Sequence, residues 1–387
     1  MRLSLCGVVL LLLLPSAEAD GVRDSARAFL VSSFGVSSQE IEAIDHGHVM
    51  ARTLPAGDPR EVATLGVVRV QVTPEFYVEQ LADIVRFKRT EAVLEIGRFG
   101  NPPDLRDVAA LTLDDSDIGR LRDCQVGDCG IQLSAEAIAQ FRKGMDWRRP
   151  DAASQASRLM GQVLVEYVTN YRIAGAAASM EYADGSAAVD TSREFASLME
   201  GDHATWQQFA DLRRHLLQYP STHSPGTNDI LYWSKERASR RTVVSVTHLA
   251  ISRTTSGPTD YAIASKQLYA SRYFDAPLGL TLLLRDPSAT SSPATYLVYL
   301  NRSRVDLFDG MFGGLARRMV GTRVRSIVTQ QLERLQQSME RQFRASSSAS
   351  AGDPEVVTEV DSRRCRRECD DADQSDAESQ RAHGRTE

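Results

Sequence analysis

From Asn228 to Arg344 the chain changes character, and this stretch constrains the fold most. Five segments, "NDILYWSKERAS", "RTVVSVTHLAISRT", "DYAIASKQLYASRYFD", "LGLTLLLRD" and "ATYLVYLNRSRV", are rich in β-branched and aromatic residues. Breaks such as "TSGPTD", "AP" and "PSATSSP" divide them. Runs of this kind read as antiparallel strands joined by hairpins. After Phe312 the period becomes helical, with Val320, Val324, Ile327, Val328, Leu332, Leu335, Met339 and Phe343 on one stripe. That stripe has to be buried, and the inner face of the meander is the surface at hand. The expected class is α+β: a curved antiparallel β-sheet packed on a long C-terminal helix, with additional N-terminal helices. Such a pairing is expected to enclose an apolar cavity.

Upstream, residues 20–220 are helix-rich. "TPEFYVEQLADIVRFKR" starts a helix at the Thr73 N-cap, with Pro74 in the first turn. Ser134 caps "AEAIAQFRKG". A longer helix begins near Asp151 and ends at Gly175, a C-cap residue. "SREFASLMEGDHATWQQFADLRRHLLQY" is a further helical stretch, stopped by Pro220. The whole of 20–345 is read as a single α+β domain. The Ser-rich, then acidic, segment 346–387 is read as a disordered tail.

The first residues, "MRLSLCGVVLLLLLPSAEADG", have a basic start, an apolar run and a small-residue site ending at Ala19. This is the pattern of a secretory signal peptide, with an uncleaved N-terminal anchor as the alternative, so the expected location is periplasmic or secreted after cleavage near Ala19. Four cysteines then remain: Cys124, Cys129, Cys365 and Cys369. In an oxidising compartment two close pairs read as disulfides, with free thiols and metal or redox chemistry as the alternatives. A formal net charge of −6 argues against generic nucleic-acid binding.

In residues 228–344, "TVVSVTHLAIS", "YAIASKQLYASRYF", "LGLTLLL", "TYLVYLNRSR" and the helix from Phe312 follow one another in an order that resembles the START-like helix-grip (polyketide cyclase/lipid transport) domains. Such domains also begin with a strand and two short helices. The resemblance implies binding of a hydrophobic or amphipathic small molecule between sheet and helix, with a lipid as one candidate, and it carries no shared catalytic motif. "VLEIGRFGNPPDLRDVAALTL", "CQVGDCGIQLS" and "LYWSKE" are similar to patterns in uncharacterised exported bacterial proteins, which brings no activity.

If the loop after Thr254 centres its hairpin on Gly257, Lys266 falls opposite His248, and Arg272 lies further along the same face. Tyr269 then falls on the other face. His248, Lys266 and Arg272 are the candidate ligand-binding residues, suited to a carboxylate or phosphate head group. A solvent-facing His–Lys alternation is the competing reading. His46 and His48 have a two-residue spacing that suits two metal ligands on a strand. Asp114, Asp115 and Asp117 read as helix-capping acids rather than a calcium loop. No G-x-S-x-G, H-E-x-x-H, P-loop or G-x-G-x-x-G is present. No metal or cofactor is assigned.

The basic residues Arg317, Arg318, Arg323, Arg325, Arg334, Arg341 and Arg344 outnumber Glu333 and Glu340; a core-packed helix with a solvated arginine face is the preferred reading, and contact of helix 312–344 with an anionic membrane surface is the alternative. Ligand binding is therefore the leading expectation. A non-enzymatic surface interaction protein with a filled core comes second, and a hydrolase with a dispersed site third.

Overall fold

The computed structural model describes residues 17–222, 224–238, 241–255, 257–305 and 313–351. Residues 1–16 of the expected signal peptide (1–19), and Cys365 and Cys369, lie outside them, while its last three residues, Ala17 to Ala19, are the start of a helix. The chain starts with α1 (Ala17–Phe34) and α2 (Ser38–Asp45), then β1 (Met50–Leu54) and β2 (Glu61–Val70). Two short helices follow, α3 (Pro74–Ala82) and α4 (Ile84–Phe87), and then β3 (Val93–Arg98). The Thr73 hydroxyl accepts from the Phe76 amide at 3.1 Å, as its cap position requires. The expected single helix breaks at Asp83, whose carboxylate caps α4.

A helical stretch separates β3 from the meander. It comprises a 3-10 turn (Leu105–Val108), α5 (Asp115–Asp123), α6 (Ala135–Gly144) and α7 (Ala152–Ala174). The short strands β4 (Glu181–Tyr182) and β5 (Val189–Asp190) precede α8 (Thr191–Gly201), α9 (His203–Gln208) and α10 (Ala210–Gln218). The meander is β6 (Thr227–Ala238), β7 (Arg241–Arg253), β8 (Tyr261–Ala270), β9 (Phe274–Arg285) and β10 (Thr295–Val305), followed by α11 (Gly313–Ala351).

Eight strands form one antiparallel sheet in the order β1-β2-β10-β9-β8-β7-β6-β3. The fold is the expected α+β class, and the sheet is curved and open. Strand alternation divides its residues between two faces. One face carries Leu65 and Val67 of β2, Val298 and Leu300 of β10, Leu280 and Leu282 of β9, Ala262 and Ala264 of β8, and Val244, Val246, His248 and Ala250 of β7. The inserted helices cover it. Toward β6, Leu231, Trp233 and Val246 pack with Met160, Leu164 and Tyr171 of α7. Toward β2, Leu65, Val298 and Leu280 pack with Leu30 of α1 and with Phe195, Trp206 and Leu212 of α8–α10. A fully buried Leu or Val contributes about 1.5–3 kcal/mol, so this two-part layer dominates the stability.

The opposite face carries α3, α4 and α11. A Cβ on Gly66 would lie 2.5 Å from Leu332 Cδ1 and 3.0 Å from Val328 Cγ1, so α11 sits directly on β2 at that point. Gln336 Nε2 donates to the Arg69 carbonyl at 2.8 Å. Val328, Leu332 and Met339 of the expected stripe are buried, but Ile327, also assigned to it, is 44% exposed, so the buried stripe is narrower than the sequence suggested.

Residues up to Met339 form one compact unit, and the segment from Glu340 is a second. In that segment the Ser346 and Ser347 hydroxyls donate to the Phe343 carbonyl. The helix therefore runs to Ala351, six residues past the boundary expected at Ala345. Serines can bond back to helical carbonyls, so a Ser-rich run need not end a helix. Residues 352–387 lie outside those described.

Candidate functional site

His248 sits at the centre of a buried polar cluster. It lies on β7, and cross-strand pairing places Lys266 of β8 directly opposite it. The loop 254–260 sets this register: Arg253 pairs with Tyr261, so the hairpin is centred on Gly257 as the sequence implied. The partners of His248 were not foreseen. Its Nε2 lies 2.8 Å from Asp229 Oδ1, and its Nδ1 lies 2.9 Å from the Tyr171 hydroxyl. His215 Nε2 lies 2.8 Å from the same Asp229 oxygen, and His215 Nδ1 lies 3.0 Å from the Thr222 carbonyl.

Each side chain is placed by a simple periodicity. Leu212, His215 and Leu216 form the inward stripe of α10. Asp229 shares its strand face with Leu231 and Trp233 on β6, and pairs across to Ala250. Tyr171 closes the inward stripe of α7 after Val163, Tyr167 and Val168. Tyr219 follows α10 and covers the cluster. Its ring stacks on Tyr171 at 5.2 Å and lies 4.6 Å from the His248 ring.

The electrostatics follow from these contacts. His215 faces acceptors on both ring nitrogens. The Thr222 carbonyl can only accept, and so can an ionised Asp229. The affinity of His215 for a proton is therefore raised, mainly by the Asp229 hydrogen bond. Burial pushes His248 the other way, below the ordinary histidine range. Burial works to raise Asp229, but hydrogen bonds from His215 and His248 hold it well below the usual carboxylate range. Asp229 is the cluster's partly exposed member, its side chain 19% accessible against 1% and 0% for the two histidines.

The three candidate ligand-binding residues do not converge. The Lys266 ammonium lies over the Phe195 ring at 4.2 Å and the Tyr171 ring at 5.6 Å. Burial lowers its pKa from 10.5 to about 8. Arg272 lies past the end of β8, where it pairs with buried Asp117 and donates to the Thr242 carbonyl at 2.6 Å. A bulge opposite Val246 and Thr247 upsets simple alternation here, and Tyr269 joins Trp233 and Val246 in the core beneath α7. His248 and Lys266 stand on the face under α7, α8 and α10, not the face under α11. The inserted helices cover strand positions that the sequence placed beside a ligand.

Other sequence-level readings also change. Asp114 occupies the N-cap position of α5, but its carboxylate binds Lys235 Nζ at 2.8 Å and the Thr242 hydroxyl at 2.7 Å instead of capping. Asp117 forms the ion pair with Arg272. His46 caps the end of α2 and His48 precedes β1, so the two do not share a strand face. Cys124 and Cys129 form a disulfide. The loop it closes bonds through the Gly127 amide to Ala183 and the Cys129 amide to Asp184.

A second region lies on the face under α3, α4 and α11. On its three central strands, Ser265, Gln267, Thr281, Tyr299 and Asn301 remain only partly buried. On the other face of those strands, Ala262, Ala264, Leu280, Leu282 and Val298 are buried. Gln267 Oε1 is a buried acceptor without a donor.

The chain matches no protein family and no curated protein. Among the described residues, no helix is long and apolar enough to cross a membrane.

Proposed function

We propose that the protein is exported and holds a small hydrophobic or amphipathic molecule on the sheet face under α3, α4 and α11. One observation carries this reading: Ser265, Gln267, Thr281, Tyr299 and Asn301 stay only partly buried in the middle of a sheet face that has helices over it. Their hydroxyl and amide groups suit a polar head. Ile263, Leu283 and Leu297 on the same face are buried, so the polar positions lie within an apolar surround. With the helical insertion 99–226 set aside, the order β2-α3-α4-β3, then the meander, then α11, supports the helix-grip resemblance, in which a strand and two short helices come first. The Cys124–Cys129 disulfide is compatible with an oxidising compartment. The exposed Arg323, Arg325 and Arg334 would favour exchange of the ligand at an anionic surface.

The test is intact mass of the exported protein, native and then denatured, beside a Thr281→Trp variant that fills the face. Extra native mass lost on denaturation, extractable as lipid and missing from the variant, is the expected result. A clean native mass, together with no binding of a fluorescent fatty acid by the wild type, would overturn the reading. It would favour an interaction protein, for which the direct seat of Leu332 and Val328 on Gly66 is the supporting contact.

A further inference from the structure

We propose that His215, Asp229 and His248 form a binding site for a divalent transition-metal ion of the zinc class, on the sheet face opposite the proposed ligand region. The ligand atoms of all three lie within 4.8 Å of one another. Nε2 of each histidine is 2.8 Å from one oxygen, Asp229 Oδ1. Zinc takes nitrogen and carboxylate oxygen at about 2.0–2.2 Å, which sets ligand–ligand edges near 3.3 Å in a tetrahedron. Opening each N–O edge by about 0.5 Å, with release to solvent of the Nε2 protons that now bond Asp229, would admit the ion. The donor set, two imidazoles and a carboxylate, is one that zinc, iron(II) and related ions accept.

The outer contacts favour a metal over a fortuitous hydrogen-bond cluster. Metal-binding histidines have the far nitrogen fixed by a carbonyl, carboxylate or similar partner, which orients the ring and its lone pair. Both histidines here are fixed in that way, His215 by the Thr222 carbonyl and His248 by the Tyr171 hydroxyl. The Tyr171 hydroxyl either donates or accepts, so it serves His248 with hydrogen on either nitrogen. The ligands come from α10, β6 and β7, three elements that are already packed, so the fold itself brings the donors together. Tyr171 and Tyr219 shield it with their rings, while Asp229 keeps an edge toward solvent. Three protein ligands leave one tetrahedral position for water or an exogenous ligand. Lys266 is a cation beside the site. It is the cross-strand neighbour of His248, but its ammonium is directed to the Phe195 ring.

The experiment is equilibrium titration of the chelator-treated full chain with Zn2+, and separately with Co2+, whose visible absorption reports coordination number and ligand type. The expected result is one ion per chain, a tetrahedral cobalt spectrum without thiolate bands, and a raised melting temperature with zinc. Asp229→Asn preserves size and shape and is expected to bind on the order of 100-fold more weakly; Tyr171→Phe, which removes only the outer anchor of His248, about tenfold. A His46→Ala/His48→Ala variant is expected to bind like the wild type. Should Asp229→Asn fail to fold, Tyr171→Phe and the histidine control still decide the matter. No stoichiometric binding by folded wild type, or binding lost in the His46/His48 variant and kept in Tyr171→Phe, would overturn the site.

Discussion

His248 and Lys266 stand directly opposite each other on β7 and β8, and the histidine is hydrogen-bonded on both nitrogens while the lysine ammonium meets two aromatic rings instead of an anion. A buried amine of this kind gives up its proton early.

Its folded pKa is about 8, against 10.5 for an ordinary lysine. Below pH 8 both folded and unfolded chains carry the proton, and the folded state bears the full cost of burying it. Between pH 8 and 10.5 the folded state has lost the proton and the unfolded state keeps it. The unfolded chain then binds more protons, so stability rises with pH across this window. Lys266→Met is expected to be more stable than wild type at pH 7, by up to about 3 kcal/mol, with the advantage fading toward pH 10.5. Urea denaturation of both proteins at pH 7 and pH 10 measures the difference, and parallel curves would contradict it.

The Arg272–Asp117 pair behaves differently, because each partner answers the other. Both side chains are more than nine-tenths buried. Arg272→Met leaves the Asp117 carboxylate without its cation and is expected to cost about 3–5 kcal/mol. Replacing both, Asp117→Leu with Arg272→Met, is expected to cost less than the single change. A double-mutant cycle in denaturant checks the order, and additive losses would show that the two residues are not coupled.

Gly175 ends α7 with φ +56°, and a Cβ there would fall 1.6 Å from the Tyr219 carbonyl oxygen. Gly175→Ala is expected to cost about 3 kcal/mol or more. It is also expected to move Tyr219 off the His248 ring, so tyrosine near-ultraviolet dichroism and histidine carbethoxylation rates should both change. An unchanged carbethoxylation rate would mean that Tyr219 does not shield the cluster.

The Cys124–Cys129 loop is short, and closing it limits the unfolded chain only modestly. Cys124→Ser/Cys129→Ser is expected to lose about 2 kcal/mol. Hydrogen exchange is expected to rise at Gly127 and Cys129, whose amides bond Ala183 and Asp184. Intact mass before and after reduction, with exchange read by fragment, tests both statements.

The hairpin register at His248 was legible because turn chemistry at Gly257 is local: Gly257 has φ +79°, and counting outward from it pairs the right residues. Which face of the strand meets which helices was not legible. That depends on α7 to α10 landing on β6–β8, a long-range packing choice that alternation alone does not encode. The bulge opposite Val246 and Thr247 added a second error by moving Tyr269 to the other face. His215 and Asp229 went unnoticed for the same reason. The available signal was a histidine inside the apolar stripe of Leu212 and Leu216, and an acid alternating with Leu231 and Trp233. Asp114 misled because an acid at a helix start usually caps, and here Lys235 and Thr242 hold its oxygens instead.

β3 pairs with β6 along the sheet edge, although the whole of residues 99–226 separates them in sequence. The chain leaves the sheet and returns to the same border, so every helix from α5 to α10 hangs from one seam. Joining that seam closes a very large loop, whose entropy cost grows with its length. The meander, β6 to β10, needs only neighbouring hairpins and can assemble first. The polar cluster of His215, Asp229 and His248 straddles this boundary in folding time. On that route its two strand residues would be placed first, and His215 would complete it when the detour returns.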